Sequence, residues 1–194
     1  PPTLAITCFA SASSKTPRAY VEAAAQLGEC LSRAGLVCVN GGGATGCMGA
    51  LNDAVKANNG RAHGVIHQQW IGEEEAHGLE KMTIVGGNDL QERKRLLLES
   101  GDCLIALPGG VGTLDELFEA VAGVAVRLST LPIVLINTGG YYDGTILQLR
   151  RAEEEGLLRC PASQLLHVVK TPAEAVDWCI GAVPCAHTLR VGAL

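Results

Sequence analysis

The chain has 194 residues, enough to bury one core as a single domain. With 47% hydrophobic and 18% charged residues it is an ordinary globular protein, not a disordered one, and no apolar run is long enough to span a membrane. A net charge of -5 argues against a general nucleic-acid binder, because phosphate backbones attract basic surfaces, but it leaves room for a small nucleotide in a local pocket. The 8 cysteines include no CxxC pair, and several sit in apolar strand-like runs. They read as buried reduced thiols of a cytosolic-type protein, so a cytoplasmic location is expected.

In chain order, residues 4–9 read as a strand. Thr16 and Pro17 read as N-cap and first residue of a helix running to about Ala34, ended by Gly35. A strand over 36–39 leads through a glycine-rich turn into a helix over 48–56. Strands follow at 62–66 and 82–85, a helix at 90–100, and a strand at 103–107 bounded by Pro108. Next come a helix over 114–126, a strand over 132–136, a helix over 144–155, a strand over 165–169 and a helix over 172–180. One domain over residues 1–180 is expected, with 181–194 as a loose C-terminal tail. Alternating helices and uniformly apolar strands mean a doubly wound α/β domain with a mainly parallel sheet covered on both faces. Ligands of such sheets bind at the carboxyl ends of the strands, so the loops there are the place to look.

Two of those loops are rich in glycine. The first, NGGGATGCMG over 40–49, allows close backbone approach and opens a helix whose N-terminus could receive a phosphate. It is neither a Walker A motif nor a clean dinucleotide fingerprint, and a tight turn allowing close helix-sheet packing is the alternative. The second, PGGVGTLDE over 108–116, again lies between strand and helix. Its Thr113 and Glu116 fit a capping box, as do Thr171 and Glu174 in a segment with no glycines before it. Three upstream glycines favour a functional loop over a mere cap. The basic run of Arg93, Lys94 and Arg95 opens the helix over 90–100, where cations oppose the helix dipole; an anionic ligand would account for them.

Together these segments resemble the LONELY GUY family of cytokinin-activating phosphoribohydrolases, long labelled lysine decarboxylase-like. The resemblance rests on Gly41 to Gly43 with Gly46 to Gly49, GVI at 64–66, EAHGL at 75–79, Arg93-Lys94, residues 102–116, and NTGGYYD at 137–143. It implies a Rossmann-like fold, a homodimer with active sites near the interface, no cofactor and no metal. It implies hydrolysis of N6-substituted adenosine 5′-monophosphates to free base and ribose 5-phosphate. Arg93 and Glu116 correspond to the family's catalytic pair. Ser11, Gly42, Gly43, Glu75, Lys94, Gly109, Gly110, Gly112 and Thr113 are the expected substrate contacts. The chemistry suits these residue types: a carboxylate stabilises the cationic sugar, and backbone amides at a helix N-terminus hold phosphate.

The chain departs from the family pattern in four places. Residues 10–14 read ASASS where the family has Gly-Ser-Ser, Leu90 replaces a methionine, and His67 replaces a proline. Residues 121–126 read VAGVAV where the family has Thr-Trp, which is expected to alter the base pocket. His63 and His67, with His77, are weighed as metal ligands and read instead as ordinary strand-end histidines; Trp70 and Trp178 are expected to pack at the surface of the core. Alternatives are a nucleotide-binding or carrier protein of the same fold, and a pyridoxal-phosphate decarboxylase, for which no cofactor lysine site is evident.

Overall fold

A computed structural model describes residues 3–71 and 79–191, with no side chains described from 184 onward. Seven strands form one sheet: β1 Ala5–Phe9, β2 Val37–Asn40, β3 Arg61–His67, β4 Lys81–Val85, β5 Cys103–Ala106, β6 Ile133–Ile136 and β7 His167–Val169. Every pairing is parallel, in the order β4-β3-β2-β1-β5-β6-β7. The helices are α1 Arg18–Arg33, α2 Gly46–Ala57, α3 Gln91–Ser100, α4 Val111–Ala125, α5 Asp143–Glu154, α6 Ala162–Leu165 and α7 Pro172–Val191. The fold is α/β and Rossmann-like. No helix among the described residues is long and apolar enough to cross a membrane.

Alternation along the central strands builds two cores. Ile6 and Cys8 of β1, with Cys103 and Ile105 of β5, face α1, α2 and α7. Phe9, Leu104 and Ala106 face Leu97 of α3 and Leu117 of α4, with Ile146 of α5 packed alongside. Both faces of these strands are therefore dry, which is why they read as unbroken apolar runs. The cysteines Cys8, Cys38, Cys47, Cys103 and Cys179 are buried free thiols.

Three element boundaries differ from expectation in ways that matter. Pro17 is the residue before α1, not its first, and no side chain caps that helix. Helix α7 continues to Val191, eleven residues beyond the helix end expected at 180. Helix α4 begins at Val111, three residues early, with Gly110 as its N-cap and no side-chain cap bond. Thr113 and Glu116 therefore lie inside the helix and form no capping box. At Thr171 the box is real: the Glu174 amide donates to Thr171 Oγ1 at 3.3 Å and the Thr171 amide donates to Glu174 Oε2 at 2.9 Å.

The sheet order reverses direction between β1 and β5. Such a switch point opens a crevice at the carboxyl ends of the two strands. Residues 10–17 and 107–110 line it, and they touch where the Ser11 amide donates to the Pro108 carbonyl at 3.2 Å.

Candidate active site

Arg93 and Lys94 stand in the first turn of α3, where the dipole disfavours cations. Both are nevertheless buried, because α4 presents three carboxylates to them. Arg93 Nη1 donates to Glu116 Oε1 at 2.7 Å, and its Nε donates to the Val65 carbonyl at 3.0 Å. Lys94 Nζ lies 3.1 Å from Asp115 Oδ2 and 2.6 Å from Glu119 Oε2. The protein's own acidic helix thus offsets the unfavourable placement, where an anionic ligand was expected to do so. Lys94 is spent on α4, and it braces α3 against the helix that carries Glu116. Arg95, by contrast, is exposed and pairs with Glu92 and Glu99 of its own helix.

Glu116 is 9% exposed. Burial pushes its carboxyl pKa above the ordinary 4.5, although the Arg93 guanidinium pulls it back down. Two cations face three carboxylates here, so the cluster keeps a net negative charge suited to a developing cation. Where the reaction needs the ionised carboxylate, the rate is lost as pH falls through the raised pKa. We expect the acid limb of kcat/KM, which reports the free enzyme, to lie above pH 4.5. In Glu116→Gln that limb should be absent from the residual rate. The shift has the opposite sign for stability. The ionised form is the disfavoured one in the fold, so its cost appears as pH rises through the raised pKa.

The two glycine loops have different fates. Helix α2, which the first one opens, is closed at its N-terminus: the Met48 amide donates to the Ser11 carbonyl at 3.0 Å. A Cβ at Gly46 would lie 2.6 Å from the Ser13 carbonyl oxygen, so glycine there permits a tight packing turn. The Gly42 amide donates to Asn40 Oδ1 at 2.8 Å, and the Gly43 amide points at Met48 Sδ at 2.9 Å. These amides serve the loop itself. Helix α4 is open. Gly110, Val111 and Gly112 are exposed, and among the described residues nothing lies within 4 Å of a Cβ added at Gly110 or Gly112. The amides at 111–113 have no partner within the helix, as the geometry of any helix start requires. Thr113 is buried against Gly109, and Tyr141 donates its hydroxyl to the Gly109 carbonyl. Ser11 sits beside this turn, its hydroxyl 2.7 Å from that of Thr16.

A cavity of about 250 Å³ lies beside Arg93, walled by Ala12, Gly41, Thr45, Met48, Ile66 and Trp70, with Gly43 at its edge. Two expectations change here. Trp70 is part of the site, its ring centroid 5.2 Å from the Arg93 guanidinium carbon. The segment 121–126 does not line this cavity; Val121 is in the core and Val124 to Val126 line a separate depression with Arg127 and Arg159. Tyr141 lies in the NTGGYYD segment but was not singled out, and nothing in local spacing marks Trp70; their contacts depend on loops that meet only in the fold. Trp178 stacks on His167 at 4.9 Å, half-buried as expected.

Glu75 and His77 lie outside the described residues. His63 Nε2 is 2.8 Å from Thr83 Oγ1, and burial with the nearby Lys81 lowers its pKa. His67 Nδ1 accepts from the Gln69 amide at 3.3 Å. Among the described residues no group of three or more His, Cys, Asp or Glu is placed to hold a metal.

The chain is similar to known proteins. A family model described as "Possible lysine decarboxylase" matches residues 48–179. The cytokinin riboside 5′-monophosphate phosphoribohydrolase of Rhodococcoides fascians is 36% identical over 155 residues, covering 79% of this chain and 77% of that protein. The protein of the same name from Mycobacterium tuberculosis is 33% identical over 178 residues, covering 91% of this chain and 92% of the other. The molybdenum cofactor carrier protein of Chlamydomonas reinhardtii superposes with a TM-score of 0.69 at 19% identity, over 94% of this chain and 99% of that one; this is a likeness of fold. By the extent and identity of the sequence matches, the chain belongs to the LONELY GUY family of phosphoribohydrolase enzymes, whose family model carries the lysine decarboxylase description.

Proposed function

We propose that this chain hydrolyses the N-glycosidic bond of N6-substituted adenosine 5′-monophosphates, releasing free base and ribose 5-phosphate. One observation carries the reading: the buried Arg93–Glu116 pair at 2.7 Å sits on the turn of α4 next to the helix's open N-terminus. Phosphate and sugar would then occupy neighbouring turns of one helix. The amides of Val111, Gly112 and Thr113 receive the phosphate, with the Ser11 hydroxyl close by. The cavity beside Arg93 takes the base, against Met48 and Ile66. As the bond from C1′ to the base nitrogen breaks, positive charge builds on the ribose ring, and the Glu116 carboxylate faces it. Water adds its oxygen to C1′, and the leaving base takes up a proton. Arg93 orients Glu116 through a charge-assisted hydrogen bond.

Exposed apolar side chains along α4 and the turn after it, Val111, Phe118, Val126 and Leu128, support the expected homodimer. The test of function is a panel of AMP, isopentenyl-AMP and the matching nucleosides, scored for free base by chromatography. The 5′-monophosphates should release base, and the nucleosides should react at least ~10²-fold more slowly, since they cannot use the α4 amides. Equal rates with and without phosphate would overturn the assignment of that helix terminus.

A further inference from the structure

The Arg93 guanidinium is held on several sides. Its Nε is tied to the Val65 carbonyl and its Nη1 to Glu116. Gly41 lies against Nη2, so closely that a Cβ there would come within 2.2 Å of it. The face of the Trp70 indole lies toward the guanidinium carbon at 5.2 Å. Trp70 is itself placed by a short 3-10 turn, Gln68–Trp70, that follows β3. The side chain of His67 caps that turn by accepting the Gln69 amide. The same imidazole is 4% exposed and packs at a steep angle to the indole, 6.0 Å between ring centroids.

A tryptophan in a nucleotide cavity would ordinarily be read as a stacking platform for the base. Here the indole already has a cation near one face and an imidazole against it. We propose that Trp70 is a positioning residue: it fixes the Arg93 guanidinium against Glu116, and His67 holds Trp70 in place by capping the turn. Base contact is then left to Met48 and Ile66. The inference rests on the reading of Arg93 and Glu116 as the reacting pair. A cation over an indole face is favoured and a cation over an aliphatic side chain is not, so the effect belongs to the ring system and not to bulk.

The test compares Trp70→Leu, which keeps much of the volume without an aromatic face, with Trp70→Phe, which keeps a face. Two readouts are needed: kcat and KM for isopentenyl-AMP across pH, and the Glu116 carboxyl pKa by NMR on protein carrying 13C-labelled glutamate. The Glu116 resonance is identified by its loss in Glu116→Gln. Trp70→Leu should lower kcat about tenfold with little change in KM. The Glu116 pKa and the acid limb should both move up, because a loosened guanidinium no longer pulls the carboxyl down. Trp70→Phe should recover most of the kcat. A rise in KM with kcat and the Glu116 pKa unchanged would overturn the proposal and make Trp70 a wall for the base. No change in either variant would overturn it as well. The NMR arm needs no turnover, so wild-type protein that fails to hydrolyse the nucleotide would sink the function reading while Trp70 is judged separately.

Discussion

Glu116→Gln should lower kcat at least ~10²-fold, the low end of what a positioned acid-base group supplies, while the protein stays folded. The substitution keeps the shape of the side chain and removes its charge. Glu116 forms no cap and no bond that holds the start of α4, since the helix begins five residues earlier at Val111. Loss of a cap would cost about 1 kcal/mol of stability and leave the rate intact. The outcome therefore separates the two roles that the Thr113–Glu116 spacing permits. KM should change much less than kcat, because the carboxylate acts on charge that exists only near the transition state. Near-normal turnover would remove Glu116 from the chemistry.

Arg93→Ala should be the more damaging change to the fold. It removes the partner of a buried carboxylate, for which the usual cost is about 3–5 kcal/mol. It also strips the Val65 carbonyl of its guanidinium donor and empties the space between Gly41 and Trp70. The penalty should depend on pH with a definite sign. Glu116 is already held above the ordinary carboxylate pKa, and losing Arg93 removes what pulls it down, so the pKa rises further. Below the new pKa the carboxyl is neutral and its burial is cheap; above it the charge is buried and unpaired. Urea titrations should thus find the stability gap between Arg93→Ala and wild type widening from acid to neutral pH. A gap constant with pH would mean that Glu116 gains water or another donor when the arginine goes.

Much of the fold was legible in the sequence because buried parallel strands leave a strong signal. The apolar run over 103–107 and the proline after it placed β5 almost to the residue, and Gly35 marked the end of α1. Helix starts were harder. The first turn of α4 is Val-Gly-Thr, a poor helical sequence with Gly112 inside it and Gly110 just before it, and the fold overrides that propensity at the switch point. The same T-x-x-E spacing forms a capping box at Thr171 and none at Thr113, since four letters carry no information about which turn they occupy. The pairing of Arg93 with Glu116 came from resemblance and is confirmed as a contact by the geometry. What the sequence did not reveal is how the groups are held. Lys94 was expected to face substrate, but its neighbours Asp115 and Glu119 come from a helix that meets α3 only after folding. The amides of the first glycine loop looked free, but those of Gly42 and Gly43 turn to Asn40 and Met48 of the same loop and that of Met48 to the Ser11 carbonyl. Trp70 was expected to pack at the surface of the core, and its place beside Arg93 was not legible, because a short turn capped by a histidine has no recognisable pattern.

The central claim is that a nucleoside 5′-monophosphate is cleaved at C1′ and not merely held. It is tested most directly by incubating purified protein with isopentenyl-AMP and quantifying both products by mass spectrometry. Free base and ribose 5-phosphate should appear in equal amounts, rising over many turnovers, and should be strongly reduced in Glu116→Gln. Recovery of intact nucleotide, bound in a fixed ratio to the protein, would contradict it and favour a carrier of the same fold.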